Sequence, residues 1–182
     1  MNQAFERYTT TAVVLHWLTA AMIFIQFPLG WYMVDLPKGP IRGQYFASHK
    51  SIGLTILVLV IVRTVWRWRH PPPPLPAVIP AWQRAAAETV HRLFYVLFFL
   101  QPISGYISSS FSGHSTKYFG IPLPQWGWHD AALNQLFTDV HVLSSFCLIA
   151  LIVAHLTGAL SHGMQRDDQV LERMMPWRRR RD

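Results

Sequence analysis

The sequence predicts an all-α protein, a single domain over residues 1–182 that forms a four-helix transmembrane bundle. The chain is 51% apolar and only 14% charged, whereas about a quarter of the residues in a soluble domain are charged. Its apolar residues lie in four long stretches, and most of its nine histidines lie in or beside them. The single cysteine, Cys147, excludes an intramolecular disulfide, a four-Cys iron–sulfur cluster and a C-x-x-C-H attachment of c-type haem.

The first two predicted spans cover residues 12–34 and 45–66. The first has 23 residues without a charge, and at about 1.5 Å per residue it crosses a hydrocarbon core of about 30 Å. The second carries His49 and Lys50 near its start and Arg63 near its end, where long side chains reach the membrane surface. A signal peptide is the alternative for the first span, but the run exceeds an h-region and lacks an A-x-A cleavage site.

The third and fourth predicted spans cover residues 90–111 and 138–164. The third contains Pro102 and Gly105 in its interior, which transmembrane helices tolerate better than soluble ones. The fourth has no Asp, Glu, Lys or Arg from Val140 onwards but contains three histidines.

The connectors support this division of the chain. The segment HPPPPLPAVIP, residues 70–80, predicts a stiff extended connector because proline cannot continue a helix. Residues 112–133 contain two tryptophans and predict a structured cap at the membrane surface.

The distribution of basic residues predicts the orientation of the bundle. Of the 16 Lys and Arg residues, 12 lie on the side of the two termini and the proline-rich connector, and four lie on the other side. By the positive-inside rule, both termini are cytoplasmic. The net charge of +7 therefore indicates topology in a lipid bilayer, and nucleic acid is excluded as a partner.

Four histidines are predicted to form two pairs inside the bundle, where ionisable groups usually serve a site. His141 and His155 are 14 residues apart, so they project within about 40° of each other at depths that differ by about 21 Å. At matching depths on other spans, His49 faces His141 near the outer surface and His16 faces His155 near the cytoplasm.

The donor types of these pairs favour haem. Paired imidazoles without a neighbouring thiolate or carboxylate suit bis-His haem better than zinc or a proton relay. A lone membrane histidine is often a helix-to-helix hydrogen bond, but four at paired depths favour a cofactor. A haem-free transporter that uses the histidines for metal or proton traffic is the open alternative.

Four further residues are candidate contacts for the cofactor or a substrate. His91, at the start of the third span, is a candidate quinone or propionate contact, with interface packing as the alternative. Lys50 and Arg63 are candidates for pairing with haem propionates, with snorkelling as the alternative. His162 lies seven residues beyond His155 on nearly the same face, and it is a candidate quinone contact or proton donor, with a surface position as the alternative.

The motifs of the chain resemble those of the prokaryotic cytochrome b561 family over nearly its whole length. They are RYTTTAVVLHW, HKSIGLTILVLVIVRTVWR, HRLFYVLFFLQPISGY, FGIPLP, HVLSSFCLIALIVAHLTGALSH and DDQVLERMMP. The resemblance implies a multi-pass protein of the bacterial inner membrane with two b haems. It also implies that the axial ligands are His16, His49, His141 and His155. Relatives often carry a His-His doublet where this chain has His162 and Gly163.

The resemblance also implies electron exchange with the quinone pool. The best-matching family activity is superoxide:ubiquinone oxidoreduction, in which superoxide gives electrons to the outer haem and ubiquinone accepts them near His91 and His162. An electron-carrier or anchor subunit for a separate dehydrogenase or hydrogenase, with that redox protein as partner, is the alternative. Four basic residues on the outer side would attract an anion: Lys38, Arg42, Lys50 and Lys117.

Overall fold

Four long helices make up nearly all of the structure, a computed structural model that describes residues 7–164 and 170–175 apart from the side chains of His162 and Met164. Each helix is long and apolar enough to cross a membrane, which confirms the predicted four-helix transmembrane bundle. The helices are α1 (Thr10–Asp35), α2 (Pro40–Arg69), α3 (Ala81–Phe111) and α4 (Ala131–Met164). Strands β1 (Lys117–Tyr118) and β2 (Ile121–Pro122) form a hairpin, and Glu172–Met174 forms a short 3-10 helix.

The helices extend beyond the predicted spans because charged residues end an apolar run but do not end a helix. The start of α3 is the clearest case, since the helix begins at Ala81, directly after Pro80, whereas the prediction began at residue 90. Its added turns contain Glu88, which forms an exposed ion pair of 2.8 Å with Arg92 of the predicted span. At the start of α4, the Asp130 carboxylate accepts a hydrogen bond from the Leu133 amide at 3.0 Å, an N-terminal cap.

Large apolar side chains cover the outside of the bundle. Phe24, Val96 and Leu143 are 57%, 61% and 66% exposed, and they represent many others. A soluble protein rarely exposes apolar patches of this extent. The lipid tails of a membrane are the environment that suits this surface.

The helices pack as two neighbouring pairs. α1 packs along α2 and α3 packs along α4, while α2 joins the pairs through α3 and α1 approaches α4 little. Buried Ile23, Ile56 and Val60 form the centre of the core, with Phe98 and Ile152 packed against them. We call the end of the bundle that holds the start of α1, the end of α4 and the α2–α3 connector the terminal end. The opposite end, which holds the β-hairpin, is the hairpin end.

The β-hairpin covers the hairpin end and is fastened to α2. Its two-residue turn uses Phe119 and Gly120, with φ of 46° and 92°, the left-handed conformation that such turns require. The Phe119 amide donates to Ser51 Oγ at 2.9 Å, and the Thr55 and Tyr118 hydroxyls lie 3.1 Å apart. The predicted structured connector is therefore confirmed, although its strands were not predicted.

At the terminal end, residues 170–175 fold back onto the bundle. The Trp17 indole donates to the Met174 carbonyl at 2.7 Å. The Arg173 guanidinium donates to the carbonyl of Pro74 at 2.7 Å, within the extended proline-rich connector predicted from the sequence. These two bonds join α1, the connector and the end of the described chain.

Candidate functional site

The structure brings together both predicted histidine pairs. At the hairpin end, the ring centroids of His49 on α2 and His141 on α4 are 6.1 Å apart, with an interplanar angle of 78°. At the terminal end, the ring centroids of His16 on α1 and His155 on α4 are 6.3 Å apart, with an angle of 65°. All four side chains are half-buried. Each pair therefore brings α4 together with a helix, α1 or α2, against which α4 packs little elsewhere.

The separation within each pair suits one metal ion between two imidazoles. Metal–imidazole bonds are about 2 Å long, so rings on opposite sides of one ion have centres about 6 Å apart. Both observed separations agree with this value. The donors are of the type that haem iron takes in pairs. The residues thus fit the predicted cofactor, and their assignment as ligands stays a prediction.

Hydrogen bonds hold the His141 ring in a defined tautomer. Its Nδ1 lies 2.8 Å from the Gln101 carbonyl, which can only accept, so Nδ1 carries the proton and Nε2 carries the lone pair. The Gln101 side-chain amide lies 3.2 Å from Nε2, and its oxygen accepts from the Ser144 hydroxyl. A metal at Nε2 has to replace this amide. Sequence reasoning missed Gln101, although an amide inside an otherwise apolar span is a signal that could have identified it.

Two glycines allow the backbone to lie directly against the hairpin-end pair. A Cβ built on Gly105 of α3 would lie 2.9 Å from His141 Cε1, and one built on Gly30 of α1 would lie 3.1 Å from His49 Cε1. Neither glycine was predicted to belong to the site. Only glycine permits this approach without displacing the ring.

Unpaired buried polar atoms also mark the site. Among the described residues, the buried Nδ1 atoms of His16 and His49 and the Oε1 of Gln26 have no hydrogen-bond partner. The other end of the Gln26 amide donates to the His49 carbonyl at 2.7 Å. Since buried polar groups in proteins are nearly always paired, these atoms indicate a site whose partners come from outside the protein.

The terminal-end pair lies among aromatic rings and a third histidine. The His91 ring centroid is 5.5 Å from that of His155, and the Phe94 ring is 5.6 Å from it on another side. The Trp17 ring lies 5.4 Å from that of His16. The structure thus places His91 beside the terminal-end pair, and its predicted contact to quinone or a propionate stays a prediction.

Each pair has one basic residue of α2 beside it. The positive charge of Arg63 lies within electrostatic range of the His16 and His155 rings. The positive charge of Lys50 lies within range of the His49 ring. Both basic side chains are half-buried. These positions suit the predicted contacts to propionates, which remain predictions. The side chain of His162 lies outside the described residues, so its predicted role is not tested.

The described residues do not form a larger metal site. Nowhere in residues 7–164 and 170–175 does a group of three or more His, Cys, Asp or Glu side chains come together to hold a metal ion. Tetrahedral zinc sites need three or four such ligands. The two imidazoles of each pair would fit haem, which would supply the other ligands of the iron itself.

The sequence profile of the prokaryotic cytochrome b561 family matches residues 7–177. The chain belongs to the prokaryotic cytochrome b561 family. As a member of this family, it is a multi-pass electron-transfer protein of the inner membrane, of an oxidoreductase type that carries haem b.

Named relatives cover nearly the whole of this b561-family chain. The protein named cytochrome b561 homolog 2 of Escherichia coli K12 is 32% identical over 93% of this chain and 92% of its own length. Cytochrome b561 homolog 1 of the same strain is 28% identical over 96% and 99%. A Yersinia pestis protein named "Probable superoxide oxidase CybB" is 28% identical over 96% and 98%.

Proposed function

We propose that this b561-family protein oxidises superoxide at the hairpin end and reduces ubiquinone at the terminal end. The observation that carries the proposal is the presence of two histidine pairs at opposite ends of the bundle, each with the spacing that one metal ion needs. The similarity to a protein named as a probable superoxide oxidase supports the choice of donor.

We infer that His49 and His141 hold one b haem and that His16 and His155 hold the other. A bound haem supplies reversible one-electron exchange at its iron. The His141 ring is suited to its role because its Nδ1 hydrogen bond orients the ring and places the lone pair on Nε2, where a metal would replace the Gln101 amide. Lys50 and Arg63 are the cations that pair with the propionates.

The core between the two pairs separates them with packed apolar side chains. His141 and His155 differ by 14 positions on α4, which is a rise of about 21 Å. Ile23, Ile56 and Val60 fill the intervening centre of the bundle. Electrons would cross this apolar layer between the two ends.

The overall reaction balances as two superoxide anions, one ubiquinone and two protons forming two O₂ and one ubiquinol. Each superoxide loses one electron, and the quinone gains two electrons and two protons. The hairpin end supplies positive charge to attract the anion, since Lys38 and Lys117 are exposed there. We propose that the terminal end faces the cytoplasm, with His91 as the predicted quinone contact and His162 as the predicted quinone contact or proton donor.

Two measurements test this function on the purified full-length protein. A redox difference spectrum with haem quantification is expected to give two b haems per chain. After a pulse of superoxide, haem reduction is expected to approach the rate of diffusion and to lead to ubiquinol. Two haems that superoxide reduces far more slowly would leave an electron carrier for a separate dehydrogenase or hydrogenase. A spectrum without a sharp reduced α-band would refute haem binding itself.

A further inference from the structure

A basic recess opens at the terminal end, on the side of α2 that faces the proline-rich connector. Its basic lining comes from Arg63, Arg67 and His70, which are spaced four and three residues apart and so lie on one face of the helix. Tyr8 and Tyr95 complete the polar lining. Arg63 is nearest the histidines, and the other two residues lie successively closer to the end of α2.

Aromatic rings pack against the two outer basic residues of the recess, Arg67 and His70. The Arg67 guanidinium lies over the Tyr95 ring, 5.9 Å from its centroid. The His70 ring stacks on Trp66 with centroids 4.0 Å apart and planes 12° apart, and its Nδ1 is 3.1 Å from the Trp66 carbonyl. These contacts restrict both side chains before any ligand arrives.

No carboxylate neutralises the recess within the described part of the chain. Neither Asp nor Glu is among the residues that line it. The ion pair between Arg92 and Glu88 involves other residues, on α3. Since we propose that Arg63 pairs with a propionate, Arg67 and His70 are the lining residues that have no acidic partner among the described residues, and they form a site for an anion.

We propose that this recess binds the phosphate of an acidic phospholipid headgroup, with Arg67 and His70 as its contacts. Basic pockets between transmembrane helices bind anionic headgroups, and the planar guanidinium matches phosphate geometry. The recess lies at the depth of the headgroups, because it follows the apolar part of α2 and adjoins Trp68, which is 81% exposed, as is typical of the membrane surface.

The chain end contributes one wall of this phosphate site. Met174 lines the recess, and its carbonyl accepts the bond from the Trp17 indole. A headgroup in the recess would therefore contact α2, the connector and residues 170–175 together. This inference goes beyond the proposed function, because it requires neither superoxide nor quinone.

The test compares phospholipid binding by the haem-loaded full-length protein and its variants. Delipidated protein in detergent is titrated with phosphatidylglycerol, phosphatidylcholine or inorganic phosphate, and bound phosphorus and the melting temperature are measured. Wild type is expected to retain phosphatidylglycerol and to melt at a higher temperature with it, but not with phosphatidylcholine. Arg67→Gln is expected to weaken this binding about tenfold, as the loss of one charge-assisted hydrogen bond would.

Arg69→Gln is the matched control, because Arg69 lies in the same last turn of α2 as Arg67 but is exposed and does not line the recess. It removes the same charge and is expected to leave binding unchanged. His70→Gln is a milder change that decides the question if Arg67→Gln does not fold. It is expected to weaken binding about threefold, as the loss of one hydrogen bond to the phosphate would.

Three results would overturn the proposal. Equal weakening by the variants at positions 67 and 69 would indicate a general charge effect. Equal stabilisation by inorganic phosphate would indicate a free-phosphate site. Loss of haem from Arg67→Gln, with unchanged binding of phosphatidylglycerol per folded chain, would assign the recess to the propionates. The number of haems in wild type, which tests the proposed function, does not affect any of these comparisons.

Discussion

The two histidine pairs have nearly the same ring separation, 6.1 Å and 6.3 Å, but the protein positions them differently. At the hairpin end, hydrogen bonds hold the His141 ring and the backbone lies directly against both rings, although the buried His49 Nδ1 has no partner among the described residues. His141 bonds to the Gln101 carbonyl, and Gly105 and Gly30 allow two helices to lie against the rings.

The terminal-end pair depends on side-chain packing instead. His155 contacts His91 and Phe94, His16 contacts Trp17, and His16 Nδ1 has no partner among the described residues. The same separation between two imidazole rings is therefore obtained with two different sets of neighbouring contacts. A ring held by hydrogen bonds is sensitive to its bonding partners, whereas a ring held by packing and a nearby cation is sensitive to neighbouring volume and charge.

The largest expected effect is the loss of one haem from each pair separately. His141→Ala and His155→Ala each remove one of the two proposed ligands at one end, so each variant is expected to retain about half of the haem per chain. Haem quantification and the redox difference spectrum measure this. His129→Ala, at an exposed loop position, is the control and should keep both haems. Retention of both haems by either ligand variant would show that the pairs are assigned wrongly.

The next effect tests the close backbone contact at the hairpin end. Gly105→Ala places a Cβ 2.9 Å from the His141 ring, and such overpacking costs about 1–3 kcal/mol. We expect a lower melting temperature and loss of haem from the hairpin end alone. Gly158→Ala on α4 is the matched control, since a Cβ there meets nothing within 4 Å. Equal effects of the two substitutions would mean that helix propensity, rather than contact with the ring, determines the result.

A third effect concerns His91, which the terminal end has and the hairpin end lacks. His91→Gln keeps a polar side chain but removes the imidazole that we propose contacts the quinone. We expect ubiquinone reduction to slow about tenfold, as the loss of one hydrogen bond of about 1.4 kcal/mol to the quinone would produce, while haem content stays at two. Rates of haem oxidation by added ubiquinone measure the change. If one haem were lost instead, His91 would be a ligand and the assignment of His16 would be wrong.

The smallest expected effect is a change in the reduction potential of the hairpin-end haem. Gln101→Leu removes the polar amide beside His141 but retains the backbone carbonyl that orients the ring. A less polar site disfavours the more positive oxidised iron, so the potential is expected to rise by about 40 mV, equivalent to one hydrogen bond of about 1 kcal/mol. Redox titration resolves this. Gln135→Leu, on the exposed start of α4, should leave both potentials unchanged.

Much of the fold can be predicted from the sequence, because a lipid environment restricts the backbone conformations that a membrane-spanning segment can adopt. A charge-free run of about 20 residues has to be helical to satisfy its backbone in the membrane, so four runs predict four helices. The helix ends did not follow, since α3 continues to Ala81 through charged turns. The β-hairpin did not follow either, because a sheet of two residues per strand has too short a pattern to recognise.

The sequence by itself determined which histidines share a depth, because helical rise and periodicity depend only on position along the chain. Only the tertiary structure decided what lies beside each ring. The roles of Gln101, Gly30 and Gly105 depend on how α1 and α3 are rotated and how closely they pack. Helix rotation and spacing result from the simultaneous packing of many side chains, and no local pattern in one helix contains that information.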